Sequence, residues 1–476
     1  MTTLNEIIDV PRSIEECFNY LIDFSRTQEW DPGVISARRL QSGPCKEGSR
    51  FAVECALPVG SISLDYSLDK VEPNKKLVLT GRSAFFEVLD TIVLETLGKN
   101  QTRIDYTAAF TFTGASSALT SRVASAFPGG MEEMGHKALQ GLKAALEDNF
   151  PAPKQSFRSS LGDKLVLPGM AQFSKLGYRS SRQQFTPITA DLRDKHMVIT
   201  GASSGIGLAA AEELARRGAR LTLVMRSKEK ADRVSRQIIS DSGNEHIRVE
   251  LADLSLLSDT EALARRLKRR KEAIDVLVNN AGALFDEQRD TKEGYDESLA
   301  LLLLSPYTLT TRLLPLLKKS TGARVVNVVS GGMYTQRLDV DKLYDPDPSS
   351  FSGSMAYAQA KRGLMIATQE WAHEWQDTNI TVNAMHPGWA DTPGVESALP
   401  EFYSIMKKGL RTPEQGADTI VWLAAATEAG LVSGELFLDR IPRNPYLVPG
   451  TQESDEERQR LLIALNEMQT AGAAAA

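Results

Sequence analysis

Cysteine is scarce in this chain: 476 residues include only Cys17, Cys45 and Cys55, all in the first quarter. An odd, sparse set builds no disulfide framework and points to a reducing cytoplasm. No paired His/Cys spacing matches a zinc site, so no metal is expected. The start, MTTLNEIIDVPRS, lacks the basic stretch and apolar core of a secretory signal. Long apolar runs are lacking too. The richest stretch, LALLLLSPYTL at Leu299–Leu309, is too short for a bilayer span, and Pro306 and Arg312 break its continuation, so no transmembrane segment is expected. A large charge of one sign is also missing. The net charge of −6 implies no general attraction to nucleic acid or anionic lipid. The basic run Arg265–Lys271 (RRLKRRK) reads as the solvated face of a helix.

What is present suits two or three globular domains: 42% hydrophobic and 24% charged residues can fill real cores. Residues 1–150 open with a short strand and a helical pattern carrying Cys17, Leu21 and Phe24. The segments FAVECAL, SISLDYSLDKVE, KLVLTGRS, FEVLDTIVLETL and TRIDYTAAFTF then read as strands, parted by turn residues. An amphipathic helix at Met131–Leu146 closes the region. This order predicts a long antiparallel sheet gripping one terminal helix.

IDVPRSIEECFNYLIDF, Trp30-Asp31-Pro32, the run of strands and the last helix resemble the START-like, polyketide-cyclase-like (SRPBCC) superfamily. The resemblance implies an α+β helix-grip fold around an apolar cavity. Some members bind lipids or steroids, and some catalyse cyclisations. Glu54, Asp65 and Asp90 read as surface or strand-pairing residues, and no acid–base pair stands out.

Residues 151–194 read as a linker, in which MAQFSKLGYRSSRQQF forms a short helix lying on the next domain. From 195 to 445 short apolar strands alternate with helices: HMVITGA, RLTLVMRS, RVELADL, IDVLVNNAG, ARVVNVVS and ITVNAMHPG. Such alternation implies an α/β, Rossmann-like, doubly wound parallel sheet. Residues 446–476 form a C-terminal tail with a helix, and the closing AGAAAA reads as disordered.

TGASSGIG, Thr200–Gly207, follows a strand and opens a helix. Its glycines let backbone approach a pyrophosphate, and the helix N-terminus favours the negative charge. The GxxxGxG spacing resembles the short-chain dehydrogenase/reductase family. The match continues through Asp253-Leu254, Asn279-Asn280-Ala281-Gly282, Ser330, Tyr357-Ala-Gln-Ala-Lys361 and Pro387-Gly388 with Thr392. It implies catalytic roles for Ser330, Tyr357 and Lys361. It also implies a nicotinamide cofactor held by Gly201, Ser203, Ser204, Gly205, Ile206, Gly207, Asp253, Leu254, Asn280, Ala281, Gly282, Tyr357, Lys361, Pro387, Gly388 and Thr392. GGMYTQRL and AMHPGWADTPGV resemble a narrower branch, that of dehydrogenase/reductase SDR family member twelve and its bacterial relatives.

The chemistry also follows from the residues. Tyr357 and Lys361, four apart on a helix, share a face. An ammonium beside a phenol lowers its pKa from about 10 and fits it for proton transfer. Where NAD-binding folds carry an acid after the second strand, this chain has Met225-Arg226-Ser227. Arg226 can pair with a 2′-phosphate, favouring NADP over NAD. Leu302 stands where family members usually carry an Asn that holds a relay water, and leucine cannot hydrogen-bond.

The reading is therefore an NADP-dependent oxidoreductase that reversibly reduces a hydrophobic ketone or aldehyde, fused to an apolar-ligand-binding domain. Trp389, Val395, Leu399, Phe402, Tyr403, Ile405 and Met406 are candidates to face an apolar substrate. The alternative is a lipid- or sterol-binding protein whose second domain senses NADP(H) with little or no turnover, for which Leu302 is the support. A homo-oligomer is left open.

Overall fold

A computed structural model describes residues 2–56, 61–112, 130–154, 172–182, 184–344, 351–398 and 400–475. The chain divides into two compact units. The first takes residues 1–150 and Thr186–Asp191, and the second Pro151–Phe185 and Leu192–Ala476. Residues 172–185 of the expected linker thus pack with the second unit.

The first unit is a seven-stranded antiparallel sheet in the order β1-β7-β6-β5-β4-β3-β2. Its strands are β1 (Thr2–Val10), β2 (Val34–Arg39), β3 (Arg50–Ala56), β4 (Ser61–Glu72), β5 (Lys76–Arg82), β6 (Phe86–Gly98) and β7 (Gln101–Phe112). Along β6, Val88, Asp90, Ile92 and Leu94 are buried while intervening residues are more exposed, the period-two pattern of a sheet covered on one face. The helix Gly130–Glu147 crosses that face and buries Leu139, Leu142, Ala145 and Leu146. Its close approach depends on Gly141, where a Cβ would lie 2.0 Å from the Trp30 carbonyl oxygen. Ser13 and Glu16 form a reciprocal cap on the helix Ile14–Leu21. β2 escaped the sequence reading because VISARR has weak alternation. All three cysteines are free.

The second unit carries an eight-stranded sheet in the order β10-β9-β8-β11-β12-β13-β14-β15, parallel except for the last pair. These strands are β8 (His196–Thr200), β9 (Arg220–Met225), β10 (Ile247–Leu251), β11 (Val276–Asn279), β12 (Ala323–Val328), β13 (Ile380–Met385), β14 (Leu436–Leu438) and β15 (Ile441–Arg443). The chain reverses direction across the sheet between β8 and β11, the place where doubly wound sheets open a crevice for ligands.

LALLLLSPYTL lies in one helix, Glu297–Leu317, that Pro306 and Arg312 do not interrupt. The apolar stretch is thus a buried core helix, and the chain stays helical past the two interruptions of its apolar run. The turns at Ala300–Leu304 are π-helical, with the Ser305 N–H bonded to the Ala300 carbonyl. The wider turn stands immediately before Pro306, whose ring would clash with an α-helical carbonyl four residues back. The helix is long and apolar enough to cross a membrane, yet 72% of its most apolar window is buried inside this unit. Arg312 leaves the core to pair with Glu261 at 2.8 Å.

Ala471–Ala475 depart from expectation: the final helix runs Asp455–Ala475, in line with the high helix propensity of alanine, while Ala476 lies outside the described residues. Leu461 and Leu465 are fully buried, and Asn466 accepts a hydrogen bond from Tyr307 on the long apolar helix.

Candidate functional site

The glycine turn between β8 and the helix Gly205–Arg216 is tight for a steric reason. Gly201 and Gly205 take φ of +69° and +57°. A Cβ on Gly201 would lie 2.7 Å from the Ala281 Cα, and one on Gly207 2.3 Å from the Asn280 amide nitrogen. Asn280 therefore braces the turn, its Nδ2 donating to the Thr200 carbonyl at 2.9 Å and the Gly201 carbonyl at 3.3 Å. Ser204, the N-cap, makes no side-chain cap, so the first-turn N–H groups keep their donors for another acceptor. Ile206 packs toward Gly416 of a neighbouring helix. The Thr392 side chain stands beside Gly205, bringing the segment after Pro387-Gly388 to the turn.

At the sheet's rim, Arg226 follows β9 with its side chain 73% exposed and Nη1 3.7 Å from Asp253 Oδ2. Asp253 turns its other oxygen back to the Ser255 N–H and hydroxyl, at 3.1 and 2.7 Å. Leu254, grouped with Asp253 from sequence, is buried and borders an internal cavity rather than the rim.

Ser330 follows β12, while Tyr357 and Lys361 lie on the helix Gly353–Glu374. The structure brings the three together. The Ser330 hydroxyl lies close enough to Tyr357 to favour its phenolate, and it accepts from the Gly332 N–H at 3.3 Å. Lys361 is 2% exposed, and its Nζ donates to the Val328 carbonyl at 2.7 Å. That Nζ stands 5.8 Å from the centre of the Tyr357 ring.

Burial pushes the Lys361 pKa down to about 7. It also raises the Tyr357 pKa, against the lowering effect of the Ser330 hydroxyl. The sequence argument expected Lys361 to depress the tyrosine. The correction is physical: desolvation disfavours both the ammonium and the phenolate.

Leu302 sits in the π-helical turn and is fully buried. It is next to the lysine: a Cβ on Gly282 would lie 3.0 Å from Leu302 Cδ2 and 3.7 Å from Lys361 Nζ. The neighbouring Leu303 occupies the space left by the absent side chain of Gly363, where a Cβ would be 2.6 Å away. An internal cavity of about 10 Å³ lies between Leu302, Lys361, Thr200, Asn279, Ser305 and Leu254. That is about the volume one water needs. Asn279 donates to Thr310 and Asn327 at 2.9 and 2.8 Å, while its Oδ1 has no partner among the described residues.

Sequence reasoning missed two contributors. Phe173 of the FSKLGY segment reaches the Ser330 end of β12, its ring 3.3 Å from where a Gly331 Cβ would be. It lies edge-on to Trp389 at 5.8 Å, and its carbonyl accepts the Trp389 N–H at 2.8 Å. Arg411 is the second. Its guanidinium donates to the carbonyls of Phe173, Gln172 and Pro387, at 3.0, 2.5 and 3.3 Å. Gly388, at φ +70°, leaves room for it: a Cβ there would be 2.6 Å from Arg411 Nε. A buried arginine has no periodic signal, so only the fold reveals this hub. Of the apolar residues assigned to the substrate loop, Ile405 is 80% exposed and projects into solvent. Tyr403 is buried and donates to Asp391 at 2.9 Å, while Leu399 and the Phe402 side chain lie outside the described residues.

The first unit holds its own cavity, of about 140 Å³, between the sheet and the terminal helix. Trp30, Leu64, Val88, Phe110 and Leu139 are among its walls, and Tyr66, Tyr106, Asp90, Asp31, Glu6 and Thr27 are among its polar members. Glu54 and Asp65 lie toward the surface as expected. Asp90 does not: it is 3% exposed.

The glycine cradle, the uncapped helix N-terminus and the buried lysine fit a dinucleotide phosphate and ribose. Residues 195–340 and 348–401 match the family model described as short chain dehydrogenase. Residues 1–147 match the model described as polyketide cyclase / dehydrase and lipid transport. Dehydrogenase/reductase SDR family member 12 of Bos taurus is 37% identical over 306 residues, 63% of this chain and 95% of that protein. The Homo sapiens protein of the same name is 36% identical over 302 residues, covering 63% and 94%. Retinol dehydrogenase 13 of Homo sapiens is 31% identical over 290 residues, covering 58% and 85%.

Proposed function

The chain belongs to the short-chain dehydrogenase/reductase family, and we propose that it reversibly reduces a hydrophobic ketone or aldehyde using NADP(H). It is an NAD(P)-dependent oxidoreductase fused to a polyketide-cyclase and lipid-transport type domain. The observation that carries the reading is the convergence of Ser330, Tyr357 and Lys361 beside the glycine cradle. A nicotinamide cofactor held at Gly201–Gly207, Asn280, Pro387-Gly388 and Thr392 would supply or accept the hydride.

This chain's residues handle the proton and the oxygen. Ser330 and Tyr357 present hydroxyls that hydrogen-bond a substrate carbonyl. As charge develops on that oxygen, Tyr357 donates its phenolic proton, and in the reverse direction it accepts one from the alcohol. Lys361, where protonated, favours the phenolate so formed. Phe173 and Trp389 provide an apolar wall beside Ser330, and a relative named for retinol supports an apolar alcohol or carbonyl. Arg226 supports NADP because a guanidinium suits a 2′-phosphate and no acid stands in its place. In the first unit, the mainly apolar cavity supports a domain that binds an apolar small molecule.

NADPH oxidation by the full chain, screened against apolar aldehydes and ketones with NADH in parallel, tests the reading. Turnover confined to polar substrates, or none at all, would exclude it.

A further inference from the structure

Asp90 is a carboxyl group on the inner face of a sheet whose other inward residues are mostly apolar. Burying such a group unpaired is costly, and its surroundings show how it is accommodated. Tyr66, from β4, and Tyr106, from β7, line the same cavity and bring their phenols toward the carboxyl. Asp90 lies on β6, so β5 separates it from Tyr66. Two strand spacings amount to about 9–10 Å, more than neighbouring side chains ordinarily bridge.

Gly81 opens the path. It is the register partner of Tyr66 on β5, and a Cβ there would lie 2.5 Å from the tyrosine Cζ. The ring therefore lies across the bare glycine toward Asp90. Phe24 supports it from one side, with ring centres 4.7 Å apart. Trp30 packs edge-on to Tyr106 at 6.5 Å. The three oxygens are thus aimed by packing from different strands.

Burial holds the Asp90 carboxyl protonated up to about pH 7, and nearby Asp31 acts in the same direction. A neutral carboxylic acid that accepts from two phenols still has one O–H to donate. A phenol can donate its own proton to the acid's other oxygen, so the tyrosines need not take this one. The cluster therefore offers a donor to a mainly apolar cavity, in which Asp31 is the other buried carboxyl.

We propose that the first unit's cavity binds an apolar carbonyl compound by its oxygen, with Asp90 as the donor and Tyr66 and Tyr106 as its positioning partners. The proposal deepens the apolar-ligand reading of this unit and is independent of hydride transfer in the second. The volume of about 140 Å³ suits a single-ring ligand; a cavity of about 150 Å³ admits benzene.

Acetophenone and α-methylstyrene are suitable probes, since they have nearly the same shape and differ in C=O against C=CH₂. Calorimetric titration of the full chain gives the ratio of their affinities. The variant Tyr66→Phe/Tyr106→Phe/Asp90→Leu makes the cavity apolar. Its acetophenone-to-styrene affinity ratio should fall at least tenfold, while α-methylstyrene binding and NADPH binding persist. An unchanged ratio overturns the oxygen recognition but leaves the apolar-ligand reading standing. Failure of both probes to bind the native chain overturns both. A crystal structure of the native chain with acetophenone asks the same question without a variant. A ketone oxygen within hydrogen-bond distance of Asp90 supports the proposal, and one pointing elsewhere sinks it.

Discussion

Arg411 and Asp439 form a two-pronged ion pair, with Nη1–Oδ1 at 2.5 Å and Nη2–Oδ2 at 2.9 Å. Each side chain is only 1% exposed. The remaining guanidinium hydrogens bind backbone carbonyls of the Phe173 segment and of Pro387. The pair therefore ties the strand-end loop after β13 to a segment more than 200 residues earlier in the chain. Arg411→Met should destabilise the second unit by about 3–5 kcal/mol, because it leaves a buried carboxylate unpaired. Adding Asp439→Leu should recover much of that loss. Thermal unfolding of both variants checks this, and a single variant as stable as the native chain would contradict it.

Arg226 is exposed and only loosely held by Asp253, so it is available to a phosphate. NADPH should bind more tightly than NADH, and Arg226→Asp should reverse the order. Equal dissociation constants for the two cofactors in the native protein would refute the argument.

Replacing Tyr357 with Phe keeps the ring and removes the phenolic proton. Cofactor binding should survive while turnover drops about 100-fold or more. Single-turnover and steady-state rates with a screened carbonyl substrate provide the measurement; unchanged rates would remove Tyr357 from proton transfer.

Leu302→Asn would place an amide beside Lys361 and a cavity of about one water's volume. The unpartnered Asn279 Oδ1 and the Ser305 hydroxyl supply polar neighbours there. Turnover should rise where proton delivery limits the rate. An incompletely paired amide costs about 1–3 kcal/mol, so stability should fall modestly. The comparison is kcat against pH with a solvent isotope effect, at matched folded fraction. The native rate and isotope effect throughout would show that proton delivery takes another route.

The Asp90 carboxyl has a folded-state pKa of about 7, raised by burial from an ordinary carboxylate value, with Tyr66, Tyr106 and Asp31 as its neighbours. Below the ordinary value both folded and unfolded states are protonated, and the group has no effect on stability. Between about pH 4 and 7 the unfolded state releases the proton while the folded state keeps it. The Asp90 contribution to stability therefore falls as pH rises through that window. Hydrogen-exchange protection of β6 and β7 amides, corrected for intrinsic rates, should decline from pH 4 to 7 in the native chain and less steeply in Asp90→Asn. Parallel profiles would show that Asp90 is ionised throughout.

Periodicity and local steric rules made much of this protein legible in its sequence. The period-two segments identified β3 to β7, and the apolar runs between helical segments identified β8 to β13. The glycine turn was readable because a strand, a GxxxGxG spacing and a helix occur in immediate succession. Tyr357 and Lys361 could be paired because four residues make about one helical turn. Ser330 entered only through its place in the ordered family pattern.

Features that depend on distant partners had no local signature. Pro306 interrupts the apolar run, and nothing local showed that the helix continues past it through a π-helical turn. Arg411 gave no sign of linking Phe173 to Pro387, because hydrogen bonds to carbonyls do not depend on residue type. Asp90 reads as a surface or strand-pairing residue by its charge, although it shares the period-two phase of Val88, Ile92 and Leu94, whereas Asp65 shares that of Ser61 and Ser63. Only the tertiary structure sets Tyr66 across Gly81 to meet Asp90, since strand register and the missing Cβ together decide where that ring can lie. The Tyr357 pKa departs from the sequence expectation for a related reason: spacing along a helix fixes which groups are neighbours, but burial by the rest of the fold decides which charges they can carry.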